Sequence, residues 1–382
     1  MKSISLLHPF SAQAIGLQQG DLYYSHSKAQ ELALQKIQSE HQELSISIDY
    51  FTGKFFPYQK SIHNLTKRLW PVTRPLFKKR HQWRKQQSIW YNKHQQKRPE
   101  DVTIINMSGH GSSFVFKLAQ QITAQGLAYI PMIGGVNMSY QGKALSYYRN
   151  AHHLLVHTQV QKEALLQQDG FTDLDIRVLP LGVNTEKFKP HSTAKKNSTP
   201  RVYKLLQVGR ISRLKQIELS IELVKFLTVR GIHCELDIIG FVGDANYYNE
   251  LVDLVSRHQL KAKIKFLGSL PQEDLVSHYQ EADVLLIPSQ HESFGMVMVE
   301  AMACGTPAIG FKGAGGTDEI IEHNINGLLV KKENWQKEVL NLLSNVNKLV
   351  NLQENTVISA QDKWSINTTS RILQNSILDA IK

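Results

Sequence analysis

The sequence predicts an α/β protein made of two doubly wound domains facing a cleft. Three observations predict it. At 382 residues the chain exceeds one ordinary core and suits two. Strand-like and helix-like segments alternate, which favours parallel sheets covered by helices. The alternation then restarts after a polar, unpatterned stretch, "STAKKNSTP" at 192–200, which reads as a linker. Two open sheets of this kind bind ligands outside the carboxyl ends of their strands, hence the cleft.

The elements follow in order. In the first half, Ile4 to Leu7 reads as a strand, Ser27 to Glu40 as a helix and Leu44 to Tyr50 as a strand. Val102 to Ile105 is a strand leading through a Gly/Ser turn into a helix from Ser113 to Ala124. Ala128 to Ile133, His153 to His157 and Ile176 to Leu179 are further strands. The second half gives strands at Lys204 to Val208, Cys234 to Ile239, Ile264 to Leu267, Val284 to Ile287 and Pro307 to Phe311. Helices at Ile217 to Arg230, Tyr247 to His258, Gln272 to Gln280 and Phe294 to Ala303 separate them. The predicted boundaries are 1–191 and 201–360, with a final segment of about 364–382 crossing back to the first domain.

No apolar run approaches the roughly 18 residues of a membrane-spanning helix. "MKSISLLHPF" is too short for a secretory apolar region and fits the first strand better. Cys234 and Cys304 lie in separate apolar segments, with no disulfide framework or metal spacing. They read as buried thiols of a cytoplasmic protein.

The net charge of +11 is concentrated. From Lys60 to Arg98 there are twelve Lys or Arg and no Asp or Glu, interleaved with Trp70, Trp83 and Trp90. On a helix-like stretch this composition suits an anionic membrane surface, with tryptophan at headgroup level. It also suits nucleic acid, the least favoured partner, or a solvated basic helix packed through its tryptophans.

Glu300 sits inside the apolar run "MVMVEAMAC". An unpaired carboxylate there would be costly to desolvate. Glu292 precedes it in the loop after strand Val284 to Ile287, and Ser293-Phe294-Gly295 opens the following helix. Gly295 permits close backbone approach to a ligand, and unpaired N–H groups at a helix start suit phosphate. The carboxylates can accept hydrogen bonds from sugar hydroxyls. Upstream, "VGRISRLKQ" places Gly209, Arg210 and Lys215 in another strand-to-helix loop, where two cations can neutralise a departing diphosphate. A plain basic turn is the alternative.

These pieces together resemble the retaining glycosyltransferases of family 4. The stretches are "LPLGVNTEKFKP", "VGRISRLK", "FLGSLPQEDLVSHYQEADVLLIPSQHESFG", "VEAMACGTPAIG" and "GGTDEIIEHNINGLLV", from Leu179 to Val330. The resemblance implies the GT-B fold of two Rossmann-like domains: an N-terminal acceptor domain and a C-terminal domain for a nucleotide-diphosphate sugar. It implies metal-independent transfer with retention, needing no cofactor beyond a UDP- or GDP-linked donor. It puts Arg210 and Lys215 on the diphosphate, Glu292 on donor-sugar hydroxyls and Glu300 on the ribose. Gly209 and the Ser293, Phe294 and Gly295 backbone border the phosphate and sugar, and Leu267 to Leu270 border the base. For "GGTDE", a capped helix start is as good a reading as ligand contact.

The N-terminal half departs from that family. Only Gly16 or Gly20 could serve as the glycine loop after the first strand. Asn106 stands nearest the position of a family histidine, and His110 follows in a Gly/Ser loop. His110 is the candidate for contact with the donor sugar or incoming acceptor, against an ordinary loop histidine. Asp173-Leu174-Asp175 imitates a metal motif but reads as a surface turn. The expected function is transfer to a lipid-linked or membrane-adjacent glycan at the inner face of the cell membrane. Alternatives are the same chemistry on a soluble acceptor, a nucleotide-sugar epimerase and a non-catalytic nucleic-acid-binding module.

Overall fold

The structure is a computed structural model that describes residues 1–15, 19–23, 28–73, 86–106, 112–134, 142–191 and 201–382. These form two compact units, Met1–Leu181 with Ile366–Lys382, and Gly182–Ser365. The chain leaves the first unit before the polar stretch expected as a linker, and 192–200 lies outside the described residues. Residues 182–191 belong to the second unit for a visible reason. Val183 donates to the Trp364 carbonyl at 2.8 Å, and Phe188 is buried with its ring 6.2 Å from Tyr279.

Among the described residues, the first unit holds β1 (Lys2–Ser11), β2 (Leu44–Thr52), β3 (Tyr58–Ile62), β4 (Leu65–Pro71), β5 (Val102–Asn106), β6 (Ala128–Ile133), β7 (Leu154–Val156) and β8 (Ile176–Val178). They make one sheet in the order β3-β4-β2-β1-β5-β6-β7-β8, parallel except for the β3–β4 pair. Its helices are α1 (Ala29–Glu40), α2 (Ile89–Lys97), α3 (Ser113–Ala124), α4 (Gly142–Arg149) and α5 (Gln159–Leu166). Ser88, Ser112 and Thr158 cap α2, α3 and α5 by accepting from backbone N–H groups in the first turn. The central strands are buried on both faces, as helix-covered parallel strands must be.

The basic stretch 60–98 is not one helix. Its start is the β3–β4 hairpin, turned by His63 and Asn64 at φ 48° and 59°, the backbone a two-residue hairpin loop needs. Its cations find carboxylates far away in sequence. Lys67, buried, meets Glu31 of α1 at 2.5 Å, and Arg68 forks onto Asp49 of β2 with two bonds of 2.7 Å. Trp70 is buried and donates to Asp49 at 2.6 Å. These groups therefore hold the unit together rather than face a partner. Ile89 and Trp90 of α2 remain exposed, while Trp83 lies outside the described residues.

The second unit is a wholly parallel sheet of β9 (Tyr203–Val208), β10 (Cys234–Ile239), β11 (Ile264–Gly268), β12 (Val284–Ile287), β13 (Ala308–Phe311) and β14 (Gly327–Val330), in the order β11-β10-β9-β12-β13-β14. Around it lie α6 (Ile217–Val229), α7 (Ala245–Arg257), α8 (Gln272–Glu281), α9 (Met296–Ala303), α10 (Gly316–Ile320), α11 (Trp335–Leu343) and α12 (Val346–Lys363). Leu205, Leu236, Ile238, Val284 and Leu286 fill the core between them. The last helix, α13 (Ile366–Ile381), returns to the first unit, where Leu373 and Ile377 pack with Leu34 and Ile37 of α1.

Candidate active site

In the second unit the strand order reverses between β9 and β12. The chain runs β9, β10, β11 to one side and β12, β13, β14 to the other. Open α/β sheets bind ligands at the carboxyl ends of the strands at such a switch point. The loops there are the two singled out from sequence: Gly209 to Gln216 after β9, and Pro288 to Gly295 after β12.

Several bonds tie these loops together. The Gln207 amide, at the end of β9, donates to the Lys215 carbonyl at 3.1 Å. Gln290 N–H donates to the Leu214 carbonyl at 3.2 Å. Gln216 holds φ 44°, uncommon for a residue other than glycine. With its side-chain amide turned so that the nitrogen faces the Pro288 carbonyl at 3.1 Å, the oxygen meets Lys332 Nζ at 3.0 Å. The result is that Lys215 Nζ reaches Glu292 Oε1 at 2.5 Å.

Glu292 is buried, and its backbone is stapled to the loop after β13. Glu292 N–H donates to the Ala314 carbonyl at 2.8 Å, and Gly316 N–H to the Glu292 carbonyl at 2.7 Å. Contact is so close that a Cβ on Gly316 would lie 2.1 Å from the Phe294 carbonyl oxygen. Gly295 takes φ 99° to turn the chain into α9, where a side chain would be strained. Ser293 is exposed between them. The Phe294 side chain points inward instead, edge-on to Trp364 at 5.5 Å.

The apolar surroundings of Glu300 are real, and its partners come from α8. Gln272 Nε2 donates to Oε1 and the Tyr279 hydroxyl to Oε2, both at 2.8 Å. Burial pushes the carboxyl above its ordinary value, while these two donors and Lys187 pull the other way.

The structure thus joins Lys215 with Glu292 and packs the Ser293–Gly295 loop against the loop after β13. Arg210, on the same loop as Lys215, is exposed and has its guanidinium carbon 5.6 Å from the Phe241 ring centre, away from any ion pair with Glu292. In "GGTDE", Asp318 accepts from Gly313 N–H at 2.9 Å and Gly315 N–H at 3.2 Å, a loop-bracing role. Asp175 pairs with Arg177 at 2.6 Å, and Arg177 with Asp379 at 2.7 Å, so that acidic turn is an ion-pair network. His110, Gly16 and the Gly/Ser loop lie outside the described residues.

Gln207, Gln216, Gln272 and Tyr279 were not anticipated. Only Gln272, at a helix start after Pro271, carried a local signal. The first unit adds a further surprise at its own switch point, between β1 and β5. His8 at the end of β1 stacks on Tyr50 at 4.4 Å and lies 3.3 Å from the Asn106 amide nitrogen at the end of β5. Its Nε2 is 3.6 Å from Glu31. Burial lowers the His8 pKa to about 3, against the pull of Glu31, so its ring is neutral.

The fold and these loops define a class, the two-unit GT-B glycosyltransferase fold. Residues 188–358, under half of the chain, match the family "Glycosyl transferases group 1". The chain is 31% identical over 192 residues to a D-inositol 3-phosphate glycosyltransferase of Corynebacterium jeikeium, covering 47% of this chain and 46% of that protein. It spans about half the length of the curated relatives it matches. Solved structures extend the likeness in fold over the whole chain. HepE of Anabaena in complex with UDP superposes with a TM-score of 0.75 at 18% identity, covering 99% of this chain and 100% of that one. Sucrose-phosphate synthase of Thermosynechococcus elongatus gives 0.73 at 18% identity, covering 99% and 98%.

Proposed function

We propose that this protein is a retaining glycosyltransferase that moves a sugar from a nucleotide-diphosphate sugar to an acceptor hydroxyl. The observation that carries the reading is the Lys215–Glu292 contact at the β9/β12 switch point, beside the Ser293–Gly295 backbone. A cation and a carboxylate held together there suit the two ends of such a donor. Lys215 and Arg210 take the diphosphate, Glu292 the hydroxyls of the transferred sugar and Glu300 the ribose. UDP is the favoured nucleotide, because HepE, which shares the fold, is a complex with UDP.

In the proposed reaction the bond between the anomeric carbon and the diphosphate oxygen breaks, and its electron pair leaves with the oxygen. Lys215 and Arg210 stabilise that charge. The acceptor oxygen bonds to the anomeric carbon from the same face, and its proton passes to the leaving diphosphate oxygen. The first unit is assigned the acceptor, with Asn106 and His8 as its polar groups.

The acceptor we favour is a lipid-linked or membrane-adjacent glycan, supported by Ile89 and Trp90, exposed beside Lys93 and Lys97. No helix of the described residues is long and apolar enough to cross a membrane. The second reading is a small soluble acceptor, favoured by the Corynebacterium relative, whose name specifies a phosphorylated inositol. Sedimentation with anionic and neutral vesicles separates them: binding to anionic vesicles alone, lost in Trp90→Ala, supports the membrane reading, and binding to neither removes it. Calorimetry with UDP, GDP and ADP tests the donor assignment. Tight UDP or GDP binding that falls at least tenfold in Lys215→Ala supports it, and failure of every nucleotide to bind overturns it.

A further inference from the structure

The loop after β9 carries three cations, and they are held in different ways. Lys215 is paired with Glu292, and Arg213 with Glu250 of α7, both at 2.5 Å. Arg210 is exposed and forms no ion pair with a carboxylate among the described residues. Its guanidinium carbon instead lies 5.6 Å from the ring centre of Phe241, in the loop after β10. Phe241 is itself 56% exposed, so its ring is not a core residue.

The backbone fixes this meeting. The loops after β9 and β10 are laced together: Gly209 N–H donates to the Ile239 carbonyl and Ile211 N–H to the Phe241 carbonyl, both at 2.9 Å, and Gly243 N–H donates to the Ile211 carbonyl at 3.0 Å. Arg210 and Phe241 therefore stand on neighbouring, hydrogen-bonded segments. Gly243 leaves room for the arginine stem. A Cβ there would lie 2.5 Å from Cδ of Arg210 and 2.6 Å from Cγ. The φ of Gly243 is outside the left-handed region, so its lack of a side chain serves space rather than backbone conformation.

The two modes of holding a cation differ in what they leave for an anion. A cation bound to a carboxylate must share or surrender that partner before it can bind phosphate. A guanidinium beside a ring face is held by its charge, and its N–H donors, all in one plane, stay open. That planar fork matches phosphate oxygens two at a time. We infer that Phe241 and Gly243 are positioning residues that keep Arg210 extended and unpaired, with its donors open to the diphosphate. This rests on the proposed assignment of Arg210 to the diphosphate and adds to it the residues that set its pose.

The test is calorimetry on the full chain with UDP and UMP, and with GDP and GMP. The ratio of diphosphate to monophosphate affinity reports the grip on the second phosphate. Phe241→Ala lowers that ratio by about two- to fivefold, the worth of one exposed cation–ring contact. Phe241→Leu, apolar but without a π face, behaves like Phe241→Ala, and Phe241→Trp restores the wild-type ratio. Gly243→Ala, which displaces the arginine stem, lowers the ratio as well. In an Arg210→Ala background, Phe241→Ala causes no further loss, because the two residues act as one unit. Melting curves confirm that each variant is folded. If Phe241→Ala and Phe241→Leu keep the wild-type ratio, or their loss adds in full to that of Arg210→Ala, the inference is overturned, while diphosphate binding that depends on Lys215 leaves the donor assignment standing. If the wild type binds none of the nucleotides, the proposed function falls and takes the inference with it.

Discussion

Lys215 Nζ lies 2.5 Å from Oε1 of Glu292, across two loops that are 77 residues apart in sequence. The ammonium offsets the charge of the buried Glu292 carboxylate. The contact also means that a diphosphate arriving at Lys215 must share the ammonium with that carboxylate.

Replacing Lys215 by alanine removes the cation and leaves Glu292 buried and unpaired. We expect kcat/KM for the nucleotide sugar to fall by about 10²–10³, the usual cost of one group that stabilises a leaving charge. Glu292→Gln keeps the shape and removes the charge. It is expected to lower kcat for transfer more than it lowers UDP affinity. Steady-state kinetics beside calorimetry checks both; equal losses in binding and turnover would remove Glu292 from the sugar.

The Gly316 Cα faces the Phe294 carbonyl, so Gly316→Ala must push the two loops apart. The expected destabilisation is about 1–3 kcal/mol by overpacking. Because the Glu292 carbonyl bonds to Gly316 N–H, nucleotide affinity drops as well. Chemical denaturation and UDP titration of the same variant measure the two effects. An unchanged midpoint contradicts the close approach.

Stability should fall as pH is lowered from neutral, in two stages. His8 has its pKa lowered from 6.5 to about 3, so between those values the unfolded chain takes up a proton that the folded chain refuses. Glu31 is opposed by burial but brought down from 4.5 to about 2 by Lys28, His8 and Lys67. Its contribution is present above 4.5 and is lost as pH falls through 4.5 towards about 2. His8→Phe should flatten the upper stage of a melting-temperature profile and shrink the lower one, since His8 is one of the groups that bring Glu31 down. A profile superimposable on the wild type would show that neither stage depends on His8.

If Lys215 and Arg210 supply the positive charge at the diphosphate, as proposed, transfer survives chelation. Initial rates with and without EDTA are expected to agree within about twofold, because each cation provides charge-assisted hydrogen bonds to phosphate. A loss restored by magnesium or manganese would show that the two side chains are not sufficient.

Much of the second unit was legible in the sequence. The strand at Cys234–Ile239 and the strand at Val284–Ile287 match their expected ends, and the loops bearing Lys215 and Glu292 follow strands as expected. Hydrophobic period and turn glycines are local signals, and those elements are set locally. The basic stretch shows the opposite case. Its charge pattern suggested a surface helix, yet Lys67 and Arg68 lie on β4, where Glu31 and Asp49 reach them from α1 and β2. Nothing near position 67 announces a carboxylate at position 31.

Glu300 draws the same line within one residue. By itself the sequence determined that a carboxylate lies on an apolar helix after a glycine-bearing loop, because helix period and turn chemistry act over a few residues. Only the tertiary structure decided how that carboxylate is borne, by Tyr279 and Gln272 donating from a neighbouring helix. Desolvation is set by everything packed around a charge, and its relief depends on partners that folding alone brings within hydrogen-bond distance.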